Sequence, residues 1–136
     1  MIAILDTTAF SAAMRHDGGL TQFLKSRAPG DVATVPPVIA EIEYGIQRTE
    51  PTSRKRALLE LERDRLLGAV KVLPWTPAAS RLFGTIKAGL ERDGEMIDDF
   101  DVAIAAIAMS HDAGVVTANL AHFSRVRGLS CRHWTE

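Results

Sequence analysis

A single α/β domain with a mostly parallel sheet is the fold class this sequence predicts, and three features carry the prediction. Short apolar runs at residues 2–5, 32–35, 70–73 and 114–117 alternate with longer segments of helical character. Runs of that length suit strands buried on both faces, and strands alternating with helices imply right-handed crossovers that cover both faces of the sheet. The segment 102–109 is apolar all round, which requires a helix buried between other elements. At 136 residues, 46% of them hydrophobic and 24% charged, the chain suits one domain over residues 1–136, with no linker, repeat or low-complexity stretch.

The elements follow in order. Residues 2–5 form a first strand, and Thr7-Thr8 offers a helix N-cap after it. Residues 9–15 and 20–27 read as short helices broken at Asp17-Gly18-Gly19, and Pro29-Gly30-Asp31 reads as a turn before the second strand at 32–35. Pro36-Pro37 opens a helix through Gln47, because proline is tolerated in a first turn. A charged amphipathic helix is expected over 52–67, ending at Gly68, then a third strand at 70–73 and a helix over 77–92. Asp98 caps the apolar helix, residues 114–117 form the next strand, and a last short strand is expected near 129–131.

Polar residues stand where such a sheet places its ligands. Asp6 follows the first strand and Asn119 follows the strand at 114–117, so both face the crevice at the carboxyl ends of the strands. Asp101 has two readings. With Asp98 three residues earlier it makes a box-like cap, and acids favour a helix N-terminus; equally, the first turn of a buried helix carries it to the middle of the domain. A cap does not explain acids reaching the same crevice from other segments, which favours chemistry for Asp101 and leaves capping or a solvated face for Asp98 and Asp99. Glu41 and Glu43 flank the apolar stripe of Val38, Ile39, Ile42 and Ile46, and spacing does not choose between them. Gly45, one turn on, leaves open space beside Glu41, whereas Glu43 reads as an ordinary surface charge.

Charge and composition exclude little else. A formal net charge of -1 gives no bulk attraction to nucleic acid, so a polyanion would be held by local basic patches or through a metal. The single Cys131 excludes an internal disulfide and a thiolate zinc cage. No apolar run approaches the ~20 residues of a membrane span, and a soluble cytoplasmic protein is expected. Three clustered carboxylates raise one another's pKa unless a divalent cation neutralises them, which makes a metal their natural occupant and phosphodiester hydrolysis the matching reaction.

The segments Leu5-Asp6-Thr7-Thr8, Ala40-Glu41-Ile42-Glu43-Tyr44-Gly45, Asp101-Val102-Ala103-Ile104-Ala105-Ala106 and Val116-Thr117-Ala118-Asn119 to Phe123 resemble the four ordered motifs of PIN-domain ribonucleases, particularly VapC-type toxins of toxin–antitoxin pairs. The resemblance spans nearly the whole chain. It implies a three-layer α/β/α PIN-like domain with a mostly parallel central sheet of about four or five strands. It also implies an endoribonuclease dependent on Mg2+ or Mn2+, leaving a 5′-phosphate and a 3′-hydroxyl, a homodimer, and a cognate antitoxin protein. It places metal-binding carboxylates on Asp6, Glu41 and Asp101, with Asn119 as the fourth residue of the catalytic set. The chain departs from the family pattern at Thr8, where Asn is common, and at Asn119, where an acid is frequent. Asn119 offers a carbonyl oxygen but no charge, and His122 reads as a hydrogen-bonding residue rather than a ligand, because hard Mg2+ prefers oxygen. Thr8 reads first as a helix cap.

Arg15, Arg48, Arg54, Lys55, Arg56, Arg125 and Arg127 are the candidates for gripping an RNA substrate, each also readable as a solvated charge, and single-stranded or loop RNA is the expected target. Trp75, Phe83 and Trp134 read as core or interface filling. A haloacid-dehalogenase-like phosphatase requires a second Asp where Thr8 stands, and a phospho-receiver requires an acidic pair and a lysine that are missing at the right places. The stronger alternative is a non-catalytic PIN-like dimer that binds RNA or protein, which the neutral Asn119 makes credible.

Overall fold

The computed structural model describes residues 1–136. Five parallel strands form one sheet in the order β3-β2-β1-β4-β5: β1 (Ala3–Leu5), β2 (Val32–Thr34), β3 (Lys71–Val72), β4 (Gly114–Val116) and β5 (Cys131–Arg132). With helices on both faces this is a three-layer α/β/α fold. The helices are α1 (Thr7–Met14), α2 (Gly18–Lys25), α3 (Pro36–Gln47), α4 (Arg54–Ala69), α5 (Pro77–Arg92), α6 (Asp99–Ser110) and α7 (Leu120–Phe123). The chain builds β1, β2 and β3 outward in one direction, then returns through α5 and α6 to lay β4 on the other side of β1. The order of connection therefore reverses between β1 and β4, and a parallel sheet opens its ligand crevice at such a reversal. Register brings the two strands out together: Ala3, Ile4 and Leu5 pair with Gly114, Val115 and Val116, and the Asp6 N–H donates to the Val116 carbonyl at 3.1 Å.

Helix α6 holds the middle of the domain. Residues from Val102 to Ala108 are all buried, with Ile104, Ala105, Ala106, Ile107 and Ala108 at 0% exposure. The alanines permit this close approach because they bring no side chain to accommodate, while Ile104 and Ile107 fill the core. Pro36 and Pro37 start α3 as expected.

Three boundaries differ from the sequence expectation. Helix α1 starts at Thr7, not Ala9, because Asp6 itself is the N-cap, its Oδ1 accepting from the Ala9 N–H at 2.9 Å; Thr7 and Thr8 lie inside the helix. Helix α2 starts at Gly18 because Asp17 caps it, accepting from the Leu20 N–H at 3.0 Å, and the break between the helices falls on His16, at φ 57°. Helix α4 runs from a Ser53 cap through Gly68 to Ala69, and only Leu66 is buried. Nothing lies within 4 Å of a Cβ built at Gly68, so no neighbour ends the helix there. Its Leu58 and Leu61 face outward, and β3 beyond it is an exposed edge rather than a buried strand.

This contrast predicts a large asymmetry in stability. Ile104→Ala should cost about 2–5 kcal/mol and lower Tm by many degrees, whereas Leu61→Ala should stay within about 0.5 kcal/mol of wild type. Thermal unfolding of the two variants checks it: a large loss at Leu61 would mean α4 is packed where the fold leaves it exposed.

Candidate functional site

The carboxyl ends of β1 and β4 place Asp6 and Thr117 side by side. Asp6 is buried, at 2% exposure, and every donor around it comes from a short, rigid piece of chain. Thr8 Oγ1 donates to Asp6 Oδ1 at 2.6 Å, and Thr117 Oγ1 donates to Oδ2 at 2.5 Å. Thr8 thus does not cap the helix, as expected of it; it holds the Asp6 carboxylate and accepts from the Ala118 N–H at 2.9 Å. Thr117 in turn accepts from the Asn119 N–H at 2.7 Å. Burial pushes the Asp6 carboxyl above its ordinary value, and the hydrogen bonds from Thr117, Thr8 and Ala9 pull it back.

Glu41 and Glu43 separate by their partners. Thr7 Oγ1 donates to Glu41 Oε1 at 2.5 Å, which ties α3 to α1 and turns that carboxylate toward the crevice. Glu43 pairs with Arg63 of α4 at 2.7 Å and accepts from Gln47 at 2.9 Å, a surface arrangement. Open space beside Gly45 is present as expected, part of a recess of about 430 Å³ that Thr7, Arg15, Glu41, Lys55 and Leu58 help to line.

Asp101 enters from the first turn of α6. The cap is Asp98 alone, accepting from the Phe100 N–H at 2.8 Å, and Asp99 pairs at the surface with Lys87 at 3.0 Å. Asp101 takes no part in capping; its Oδ2 lies 3.5 Å from His122 Nδ1. Burial raises its carboxyl to about 6, with the charges of Asp6, Asp98 and Glu41 adding to the rise and His122 opposing it. The three sequence-predicted acids thus stand near enough for the charges of Asp6 and Glu41 to act on Asp101.

Asn119 and His122 form the far wall. Asn119 Nδ2 lies 2.8 Å from His122 Nδ1. One ring nitrogen cannot serve both neighbours: while Nδ1 accepts from Asn119 it offers Asp101 no proton, and when protonated it donates to Asp101 and requires Asn119 to turn its carbonyl inward. His122 is therefore a site residue that sequence reasoning had set at the margin, as was Thr117. Its only signal in the sequence was a position three residues beyond Asn119, one helical turn.

No three His, Cys, Asp or Glu side chains are preassembled into an ion cage. The acids form an open, mutually repelling crevice rather than a finished coordination shell. Its donors are still those a hard divalent cation takes, carboxylate oxygens with no thiolate among them; the residues fit such an ion chemically. Of the candidate cations, Arg15 and Lys55 line the recess beside Glu41, Arg56 is spent on the Gln47 and Thr49 carbonyls, Arg48 covers the Tyr44 ring, and Arg125 donates to the Met96 carbonyl.

Comparisons with known proteins agree with this architecture. The PIN domain family matches residues 3–129. Ribonuclease VapC2 of Haemophilus influenzae is 34% identical over 96 residues, covering 71% of this chain and 70% of that protein. The tRNA(fMet)-specific endonuclease VapC of Shigella flexneri is 32% identical over 97 residues, with 71% and 70% covered. Among solved structures, VapBC2 from Rickettsia felis bound to a DNA fragment from their promoter superposes with a TM-score of 0.89 at 26% identity, covering 98% of this chain and 99% of that one.

The pH dependence of stability follows from Asp101. Its folded value lies above the ordinary carboxyl value, so the folded state holds the proton more tightly and stability falls as pH rises through that interval to about 6. Asp101→Asn should therefore raise the Tm of the metal-free protein at pH 7.5 by a few degrees and change it little at pH 4. Melting curves at both pH values, with chelator present, check this; a lower Tm at pH 7.5 would mean that Asp101 is stabilising as a charge.

Proposed function

The chain belongs to the PIN-domain family, with VapC ribonucleases among its relatives, and from that premise we propose that it is a metal-dependent endoribonuclease, the toxin of a toxin–antitoxin pair. What supports this reading is that Asp6 stands buried at the carboxyl end of β1, beside the reversal of the sheet, and that the charges of Asp6 and Glu41 act on Asp101. Those three carboxylates would hold Mg2+ or Mn2+, which when bound supplies positive charge to the scissile phosphate and eases deprotonation of an attacking water. The chain's own residues do the rest. Thr8 and Thr117 fix the Asp6 carboxylate, Thr7 fixes Glu41, and His122 can hold a proton at Nδ1 against Asp101. Asn119, whose Nδ2 lies 2.8 Å from the same nitrogen, holds the ring in its alternative state, with Nδ1 unprotonated.

An RNA single strand or loop is the substrate class, because in-line cleavage of a backbone requires a strand that can be splayed into the crevice. A cognate antitoxin would silence the site by covering the recess beside Glu41, whose wall combines Leu58, Ile42 and Ile46 with the acid itself, so that an apolar segment carrying one arginine fits it. Homodimerisation belongs to the same proposal and is read by analytical ultracentrifugation. No helix is long and apolar enough to cross a membrane.

Purified protein incubated with total RNA should cut it in Mg2+ or Mn2+ and not in chelator. Asp6→Asn, Glu41→Gln and Asp101→Asn should each lower cleavage by at least tenfold, with Glu43→Gln close to wild type, since Glu43 is engaged by Arg63 on the surface. Wild-type cleavage by Glu41→Gln would remove that residue from the site, and unimpaired growth on strong expression of active protein would remove the toxin role without touching the chemistry.

Asn119 provides a graded test. Asn119→Asp adds one negative charge at the crevice and should tighten apparent Mg2+ affinity by about 1 kcal/mol, raising activity at low Mg2+. Asn119→Ala should reduce activity far less than Asp6→Asn, because it deletes a neutral group. An unchanged Mg2+ midpoint in cleavage titrations of Asn119→Asp would place residue 119 outside the ion's reach.

A further inference from the structure

Beside the acidic crevice lies a second recess, of about 440 Å³, lined by Thr7, Thr8, Ser11, Arg15, Ala118 and Trp134. Two of these are the hydroxyls that hold Glu41 and Asp6, so the recess is continuous with the acids. Its aromatic wall is Trp134, which the sequence reads as core or interface filling. Trp134 is only partly buried, at the outer margin of the core. It is nevertheless held in place: the indole N–H donates to Asp17 Oδ2 at 3.2 Å, and the His133 ring stacks on it at 4.1 Å between centroids and 27° between planes. Gly19 makes that seat possible, because a Cβ there would stand 3.1 Å from Thr135 Cγ2 and 3.4 Å from Trp134 Cδ1. The opposite side of the recess carries Arg15, whose exposed guanidinium enters no ion pair, and Ser11.

A fixed aromatic surface, an unpaired guanidinium and hydroxyls, one step from carboxylates that would act on a phosphodiester, match the chemistry of a single nucleotide. A nucleotide offers the π-face of its base to stack and a phosphate to pair. We propose that Trp134 is the stacking platform for an unpaired base of the RNA adjacent to the scissile phosphate, with Arg15 holding that nucleotide's phosphate. The inference rests on the ribonuclease reading of the neighbouring acids. It makes Trp134 a substrate-positioning residue, and it accounts for why the carboxyl-terminal segment returns to the mouth of the crevice after β5.

The test uses Trp75→Phe protein, in which Trp134 is the sole tryptophan; Trp75 is exposed, packs on Phe83, and lies outside this site. Titrating a short single-stranded RNA into that protein in chelator, where nothing is cut, should quench Trp134 fluorescence, and a strand of abasic residues with the same phosphates should not. In Mg2+, Trp134→Ala should raise KM about tenfold, equal to ~1.4 kcal/mol, with kcat within about twofold, and Trp134→Phe should recover most of the loss. Arg15→Gln should weaken binding of both strands alike. Absence of quenching by the normal strand, equal quenching by the abasic one, or a Trp134→Ala variant that folds and keeps its KM would each overturn the platform. Absence of any cleavage by wild type in Mg2+ or Mn2+, with quenching intact, would instead overturn the ribonuclease reading and leave the nucleotide site standing.

Discussion

The buried carboxylate of Asp6 is the constraint on which the rest of this structure depends. It caps α1 through Ala9, anchors the first turn through Thr8, and reaches across the topological reversal to Thr117 on β4. One group thus fastens the first strand–helix joint to the fourth, at the only place where the sheet's order of connection turns back on itself. The same group is the innermost acid of the site. Fold and site cannot be separated here, because the residue that closes the crevice structurally is the residue that charges it.

The other two acids are attached differently, and the difference shows how the site tolerates its own charge. Asp6 is stabilised by three donors, Glu41 by the Thr7 hydroxyl, and Asp101 by the more distant His122. The least supported of them is raised most: burial lifts Asp101 to about 6, and its neighbours' charges add to the rise. A crevice so arranged is destabilising without a counter-ion and is kept by a fold whose core, centred on α6, supplies stability elsewhere.

Much of this was legible in the sequence where local signals and burial agree. The apolar run before Asp6, the proline pair opening α3 and the uninterrupted apolar stretch of α6 each have one physical reading, and the parallel order follows from their alternation. Legibility failed where a distant partner decides. Whether Glu41 or Glu43 faces the crevice depends on Thr7 and on Arg63, which lies in another helix twenty residues beyond Glu43. Asp6 displaced Thr7 and Thr8 as the cap because an acid after a strand can serve helix and site together, a double role that periodicity does not encode. Thr117 looked like the last residue of a strand and Trp134 like core; their roles come from contacts 111 and 117 residues away in sequence. At α4 the pattern of leucines suggested a packed face, but the sheet ends at β3 and leaves much of that face uncovered.

Electrostatics then constrain how a polyanion could approach. The crevice is negative and the whole chain carries a net charge of -1, so neither attracts RNA. Two features oppose this locally. Helices α1 and α6 both begin beside the acids, capped by Asp6 and Asp98, and their N-termini place partial positive charge there. Arg15 and Lys55 line the recess beside Glu41. Neither reverses the sign set by three carboxylates, so a strand can enter the acids only together with a cation, and must first be held by groups outside them. Stacking is suited to that first step because it does not depend on charge, and the one fixed aromatic surface at this mouth is Trp134. On the proposed ribonuclease reading, the acids would set where the backbone is cut, and the carboxyl-terminal segment would bear on which strand is brought there.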